Sequence, residues 1–252
     1  MHGRIDHLLF VSSLLFANTR SLGAVCIDPA QLAHSTVSIM RHFDGAEREG
    51  RSDLIGVQGT GWFLSSTTLV SAEHVTAAMR LSTEEWKPLE LTDGDGSQSI
   101  AARIQRVAGP EAEKLAIIEL QSAVSNARSV TIRKEPLQPE EPVMTIAYPA
   151  GHPQPVSGRF VRVGDDGKLT GMALLELYDG DNRLAVDHGA SGAPVIDCNG
   201  RVVAVISDVL TQSIHWAYRE IRISTAWGMP NVVSVPVQAL DPVFQSASRR
   251  SP

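Results

Sequence analysis

Short apolar runs rich in β-branched residues recur along most of the chain, and clusters of Gly, Pro, Asn and Asp interrupt them every eight to twelve residues. This spacing is typical of all-β barrels and sandwiches. Helical periodicity is limited to Val75–Arg80 and to Val237–Phe244 near the end. The predicted strands are Thr36–Met40, Gly61–Leu64, Thr68–Ser71, Ile100–Val107, Leu115–Leu120, Ser129–Ile132, Val143–Ala147, Phe160–Val163, Ala173–Leu177, Ala193–Ile196, Val202–Val209 and Val232–Val235. We therefore expect an all-β unit of two sub-barrels with a short C-terminal helix.

Composition narrows the classes of protein. The chain has 252 residues, of which 43% are hydrophobic, and a net charge of −6. These values are typical of a globular protein rather than a disordered one, and the mild acidity makes nucleic acid an unexpected partner. The two cysteines, Cys26 and Cys198, are too few for a cysteine-rich zinc site, and they are either a disulfide or two free thiols.

The first residues resemble a targeting segment. Leu8–Ala17 (LLFVSSLLFA) is a run of about ten mostly apolar residues, the length of a signal-peptide core and too short to span a bilayer. Gly23 and Ala24 offer a cleavage point, so we expect residues 1–24 to be a signal peptide. The alternative is a buried N-terminal strand or helix. Export predicts a periplasmic or secreted protein without stable membrane insertion after cleavage.

Two motifs carry candidate chemistry. In Leu69–Val75, a strand ends in Ser-Ala-Glu-His-Val, which places His74 at a strand-to-helix corner. In Gly189–Pro194 (GASGAP), glycines flank Ser191 and permit a tight turn with unusual backbone dihedrals. Such a turn can aim the amides of Gly189 and Ser191 at one point, the arrangement that stabilises an oxyanion.

Together these motifs resemble those of the trypsin-like (chymotrypsin-fold) serine peptidases, in particular the bacterial branch of glutamyl endopeptidases and HtrA-type proteases. The resemblance extends over roughly residues 35–240, with Gly59–Val75, Val143–Gly151 and Asn199–Val205 as further matching segments. It implies a double six-stranded β-barrel that fills residues 25–252, without a PDZ domain.

The resemblance also implies roles for the site residues. Ser191 would be the nucleophile, His74 the general base and then acid, and the amides of Gly189 and Ser191 the oxyanion hole. The reaction would be hydrolysis of a polypeptide through an acyl-enzyme, without a metal or other cofactor. We expect a monomer.

The sequence departs from the family at the third catalytic position. The family has an aspartate directly before the Leu-Ala strand, where this chain has Lys114. An ammonium group cannot accept the imidazole N–H bond, so another carboxylate must replace the aspartate. Glu113 is our first choice, and Asp208 and Glu111 are the alternatives. A Ser–His dyad or an inactive site remains if none of them serves.

Specificity is indicated only by the resemblance. Ala185 would form the floor of the primary pocket and Val186 its wall, while Ser207 and Asp208 would contact the substrate. Uncharged pocket residues favour small or medium aliphatic side chains. Asp93–Gly96 (DGDG) resembles part of a calcium loop, but the later ligands are absent and a solvated turn is expected.

Three functions therefore compete. The first is a serine endopeptidase, and the second is a protease-like protein that binds a peptide or partner without efficient turnover. The third is an esterase that uses the same site. Lys114 favours the binding protein, whereas the retained histidine, serine and glycines favour the enzyme.

Overall fold

Two antiparallel β-barrels make up the fold. The computed structural model describes residues 27–32, 34–48, 53–107, 115–181, 186, 188–216, 219–225 and 228–240. The expected signal peptide, 1–24, therefore lies outside the described residues. No helix among those residues has the length and apolar character needed to cross a membrane.

The first barrel contains six strands. They close in the order β1-β2-β3-β6-β5-β4, with β4 paired to β1. Its strands are β1 (Thr36–His42), β2 (Gly56–Ser65), β3 (Thr68–Ala72), β4 (Lys87–Asp93), β5 (Gly96–Val107) and β6 (Leu115–Leu120).

The second barrel also closes with six strands. The order is β11-β8-β9-β10-β15-β12, and β12 pairs back to β11. Its strands are β8 (Pro142–Ala147), β9 (Gln154–Val163), β10 (Ala173–Tyr178), β11 (Pro194–Asp197), β12 (Arg201–Val209) and β15 (Val232–Pro236). The short β7 (Thr131–Ile132) adds to β12 in parallel, and β13 (Thr211–Trp216) pairs with β14 (Arg219–Ser224) as a separate hairpin.

Strand alternation explains how two barrels share a third core between them. Neighbouring residues of a strand point to opposite faces, so Trp62 packs between the barrels while Phe63 fills the first barrel. In the second barrel, Leu174 packs between the barrels and Leu175 packs inside. The candidate site lies along this shared boundary.

Helix is scarce. The single α-helix of the described residues, α1 (Glu73–Ala78), follows β3 directly and agrees with the predicted short helix after His74. A 3₁₀ turn, Val237–Leu240, begins where the C-terminal helix was predicted, and the rest of that segment lies outside the described residues. Three further 3₁₀ turns are Pro29–Leu32, Pro149–Gly151 and Gly167–Leu169.

The double six-stranded fold predicted from the sequence is confirmed, and each predicted strand overlaps a strand of the structure. The prediction missed β4 and the β13–β14 hairpin. In β4, Leu89 and Leu91 alternate on the buried face, but Pro88, just before Leu89, is unusual in a strand and obscured the pattern.

Candidate active site

The turn that carries Ser191 is pressed against the first barrel. Gly189 and Gly192 adopt φ of +99° and +93°, values that favour glycine. A Cβ at Gly192 would lie 2.0 Å from the carbonyl oxygen of Thr60 and 2.3 Å from Oγ of Ser71. No larger residue fits there, which explains the second glycine of the motif.

Thr60 holds this turn from several sides. Its amide donates to the Ser191 carbonyl oxygen at 2.9 Å, and its hydroxyl donates to the Gly189 carbonyl oxygen at 2.7 Å. The same hydroxyl accepts the amide of Tyr148 at 3.2 Å, while the Thr60 carbonyl accepts the hydroxyl of Ser71 at 2.7 Å. Because Thr60 is fully buried, these bonds fix the backbone on both sides of Ser191.

His74 lies at the corner between β3 and α1, and the residues close to it in sequence contact the Ser191 turn and its surroundings. It lies exposed in the first turn of α1, two residues after the buried Ala72. A Cβ at Gly192 would lie 3.0 Å from the Ala72 amide nitrogen, so the corner that carries His74 abuts the residue after Ser191.

Gly59 makes a second link between the two motifs. A Cβ there would lie 2.4 Å from Cγ1 of Val75 and 3.4 Å from the Ser191 carbonyl oxygen. Val75 directly follows His74, so residues on both sides of the histidine contact the surroundings of the serine. The structure thus places the segments that carry His74 and Ser191 side by side at the barrel boundary.

The Ser191 hydroxyl has a partner in β12. Its Oγ donates to the carbonyl oxygen of Ser207 at 3.2 Å. Just before this point, β12 is tied to the serine turn, since the Gly192 amide donates to the Ile206 carbonyl and the Ile206 amide to the Ala193 carbonyl, both at 2.8 Å.

Beyond Ile206, the edge of β12 that faces Ser191 has no strand partner within the described part of the chain. The opposite edge remains paired with β15, through Asp208 with Val233 and Val209 with Val232. An unpaired strand edge therefore begins beside the serine hydroxyl. Such an edge can accept another extended chain.

The amides of Gly189 and Ser191 are available to a ligand. Within the described part of the chain, neither of them donates to a protein acceptor. Both donors lie in the turn that the sequence motif predicts, and Gly189 adopts a positive φ within that turn. Such amides can stabilise negative charge on an oxygen atom.

The predicted pocket residues are only partly described. Val186 is buried and belongs to the second-barrel core with Ala190, Ile206 and Val232. Ala185, the predicted floor, lies outside the described residues. Val232 is the paired neighbour of the exposed Val209, so two valines lie side by side on β15 and β12.

Most candidates for the third catalytic residue lie outside the described residues. Glu111, Glu113 and Lys114 all lie in the segment 108–114, which is not described. Asp208 is described: it is exposed, and its carboxylate accepts the amide of Val209 at 2.8 Å. Among the described residues, this is the only hydrogen bond that the Asp208 carboxylate makes. It gives no support for Asp208 as the catalytic acid.

Sequence reasoning missed Thr60 and Tyr148. The only sequence signal for Thr60 was its place between two glycines in Gly59-Thr60-Gly61. Tyr148 is buried and donates its hydroxyl to the Thr36 carbonyl at 3.2 Å, and burial raises its pKa more than this bond lowers it. Both residues brace the backbone around Ser191 from elements distant in sequence.

A buried ion-pair network supports the hairpin after the serine. The Asp197 carboxylate accepts the amides of Asn199 and Arg201 and the guanidinium of Arg201, the closest contact being 2.8 Å. Arg133 lies 3.4 Å away and also pairs with Glu141. Burial acts to raise the pKa of Asp197, but the hydrogen bonds and the charge of Arg201 outweigh it, so the pKa lies below its ordinary value.

One group among the described residues has the chemistry of a metal site, and it does not include His74 or Ser191. The ligand atoms of His34, Asp93 and Asp95 lie within 4.8 Å of one another at the start of β1 and the β4–β5 turn. Exposed Asp95 also accepts the side-chain amide of Asn126 at 3.0 Å. The turn predicted at Asp93–Gly96 is present.

Cys198 is disulfide-bonded, which decides between the two alternatives left open by the sequence. The only other cysteine of the chain, Cys26, lies outside the described residues.

Comparisons with known proteins agree with this architecture. A family model described as "Trypsin-like peptidase domain" matches residues 59–205, more than half of the chain. A search of curated proteins found no match.

Crystal structures of Rv3671c resemble the chain. Rv3671c from M. tuberculosis, as a serine-to-alanine mutant in the inactive form, is 16% identical with a TM-score of 0.55, covering 88% of this chain and 91% of that chain. The Rv3671c protease in its inactive form is 17% identical with a TM-score of 0.55, covering 86% and 90%. The active form from M. tuberculosis is 17% identical with a TM-score of 0.56, covering 86% and 82%. At such identities the likeness establishes the fold alone.

Proposed function

The chain belongs to the trypsin-like peptidase family, and from this we propose that it is a serine endopeptidase of the glutamyl endopeptidase and HtrA-type branch. One observation carries the proposal: Ala72, two residues before His74, lies against Gly192 of the serine turn, and Val75, directly after the histidine, lies against Gly59 beside that turn. Ser191 is the nucleophile in this proposal, and His74 is the general base and acid.

The chemistry proceeds in two halves. Ser191 Oγ attacks the scissile carbonyl carbon while His74 takes its proton, and the carbonyl electron pair moves to oxygen. When the C–N bond breaks, His74 gives that proton to the departing amine and an ester to Ser191 remains. Water, deprotonated by His74, then hydrolyses the ester and restores both residues.

The amides of Gly189 and Ser191 would hold the oxyanion of both tetrahedral intermediates. Each such donor contributes about 2.7–4 kcal/mol to the transition state. Support comes from the lack of a protein acceptor for either amide within the described residues.

Substrate binds in this proposal as an extra strand on the open edge of β12. The carbonyl of Ser207 then accepts a substrate N–H instead of the Ser191 hydroxyl, which frees that hydroxyl to turn toward His74. Ser207 and Asp208 are the substrate-contacting residues of this edge. Val186, with Ala185 as the floor, favours a small or medium aliphatic side chain.

Glu113 is the carboxylate that we propose to orient His74, since Lys114 occupies the usual position. The second candidate function, a peptide-binding protein with negligible turnover, is favoured by that lysine. An esterase would share the site and differ only in substrate.

The cellular setting is part of the proposal. We propose a signal peptide at 1–24 and a periplasmic or secreted monomer. The disulfide of Cys198 supports export, because disulfides persist in oxidising compartments. Polypeptides are the only partners proposed.

Labelling with a fluorophosphonate tests the proposal, because this probe reacts only with an activated serine. We expect rapid labelling of the wild type and its loss in Ser191→Ala and His74→Ala. Ser66→Ala and His42→Ala change exposed residues of the first barrel and should label as the wild type does. A wild type that labels no faster than Ser191→Ala would leave the binding protein as the better function.

A further inference from the structure

A carboxylate is buried in the second barrel without a role in the chemistry above. Glu176, in β10, is 5% exposed. Its Oε2 accepts Nε and Nη2 of Arg159, its cross-strand partner in β9, at 2.8 and 2.6 Å. A buried charge is tolerated only when it is paired in this way.

The second oxygen of Glu176 reaches outside the barrel. Oε1 accepts the amide of Gly228 at 2.7 Å and the hydroxyl of Tyr178 at 3.2 Å. Gly228 has a φ of +85° and lies before β15, in the segment Gly228–Asn231. The carboxylate therefore ties this segment to β10.

Asn231 ties down the other end of the same segment. Its side chain accepts the Leu177 amide at 2.9 Å and donates to the Leu177 carbonyl at 2.8 Å. Its backbone carbonyl accepts the amide of Leu210, the residue that follows β12. The segment is thus fixed between β10 and the end of β12, on the edge of β12 that pairs with β15.

This place matters for substrate. Val232, which directly follows Asn231, pairs with Val209, and Val209 lies two residues beyond Ser207, whose carbonyl contacts the Ser191 hydroxyl. Met229, within the segment, is 51% exposed. A polypeptide on the open edge of β12 would therefore lie one strand away from this segment, within reach of its side chains across the face of β12.

We propose that Glu176 is a positioning residue that sets the side-chain specificity of the peptidase by holding Gly228–Asn231 next to β12, on the side away from its open edge. The proposal rests on the proposed function. Glu176 touches neither the substrate nor the reacting atoms. It acts through the Gly228 amide, and a displacement of about 1 Å in a positioning element can reduce the rate by a factor of about 100.

Glutamine cannot replace this carboxylate without loss. Its single carbonyl oxygen can serve either Arg159 or the Gly228 amide, and its NH₂ group then faces donors on the other side. Glu176→Gln should therefore release or shift the segment. Glu119→Gln is the matched control, because Glu119 accepts Nε of Arg103 across β5 and β6 of the other barrel at 2.9 Å.

The experiment measures kcat/KM on peptide p-nitroanilides that differ only in the residue at the scissile carbonyl: Ala, Val, Leu or Phe. For Glu176→Gln we expect about a tenfold or larger loss on the preferred substrate and a flattened ratio across the series. Fluorophosphonate labelling, which needs no such side chain, should stay within about twofold of the wild type, since the Ser191 turn is untouched. Glu119→Gln should match the wild type in both measurements.

Unchanged ratios in an active Glu176→Gln would overturn this inference and leave the proposed function intact. A wild type without labelling would overturn the proposed function and the specificity role with it. Should Glu176→Gln fail to fold, Glu176→Asp keeps the charge but is one methylene shorter, and it should flatten the ratios too. Hydrogen exchange of the Gly228 amide, faster in either variant, checks the anchor directly, and unchanged exchange would contradict it.

Discussion

Gly192 and Thr60 approach so closely that a Cβ at Gly192 would lie 2.0 Å from the Thr60 carbonyl oxygen. The glycine belongs to the second barrel and the threonine to β2 of the first. The serine turn is therefore seated by the contact between the barrels and not by its own sequence alone. We therefore expect the site to form only when both barrels are folded and docked.

Substitution of Gly192 by alanine should destabilise the protein and abolish labelling of Ser191. The positive φ and the overlap together should reduce the free energy of unfolding by about 2–5 kcal/mol. Urea unfolding measures this loss. Gly171→Ala is the control, because Gly171 has a φ of +76° and no atom within 4 Å of a Cβ there. If both variants lose the same free energy of unfolding, the overlap between a Cβ at position 192 and the Thr60 carbonyl has no effect on stability.

Thr60→Val should slow labelling of Ser191 by about tenfold or more, because the backbone on both sides of the serine loses a support. The carbonyl of Gly189 and the amide of Tyr148 would each lose a buried partner, which costs about 1–3 kcal/mol per group. Labelling kinetics and urea unfolding test the two effects.

Thr145→Val is the matched control for that change. Thr145 is fully buried, and its hydroxyl has no hydrogen-bond partner among the described residues. Valine there should be neutral or stabilising and should leave labelling unchanged. If Thr60→Val labels as fast as Thr145→Val, the position of the Ser191 turn does not depend on the Thr60 hydroxyl.

The barrels were predictable because most strands repeat one signal: a short β-branched run between turn residues. Leu115–Leu120 was predicted with the bounds it has in the structure. The β13–β14 hairpin was missed because its polar and apolar residues are mixed and an Ala-Tyr pair, not a turn dipeptide, joins its strands. A local sequence pattern does not show which distant part of the fold a residue contacts.

The same limit applies to the site. His74 and Ser191 stood out because their motifs are local, whereas Thr60 acts through Gly189 and Tyr148, more than 80 residues away. Glu176 looked like one polar residue in an apolar strand. The role that we propose for Glu176 depends on its hydrogen bond with the amide of Gly228, which is 52 positions further along the chain.

Asp197→Asn should lower stability and weaken its dependence on acid pH. The folded-state pKa of Asp197 lies below its ordinary value, so its stabilisation is complete above an unfolded pKa of about 3.9 and is lost as pH falls through the folded value. Loss of the carboxylate from a buried pair costs about 3–5 kcal/mol near pH 7. Urea midpoints between pH 2 and 7 measure both effects, with exposed Asp165→Asn as the control. If the urea midpoint of Asp197→Asn falls with decreasing pH as steeply as that of the wild type, other carboxylates cause the loss of stability in acid.

Reduction of the disulfide should lower the unfolding temperature. A disulfide typically contributes about 2–4 kcal/mol, chiefly by restricting the unfolded chain. Cys198→Ser should show the same loss and no further response to reductant, and Cys26→Ser should match it, since Cys26 is the only other cysteine. If reductant leaves the wild type unchanged in calorimetry, the bond adds nothing to stability.

Lys114→Asp should raise kcat/KM, since it restores a carboxylate where the family places one to hold the imidazole. Loss of that carboxylate lowers kcat by about 10⁴ in the serine-protease template, so a gain of tenfold or more is expected here if no other acid serves fully. If Glu113 serves instead, Glu113→Gln should slow the wild type but have little effect beside Lys114→Asp. Exposed Lys168→Asp controls for the change of charge and should leave the rate unaltered. A Lys114→Asp protein no faster than the wild type, with Glu113→Gln also without effect, would argue for a Ser–His dyad or for the binding protein.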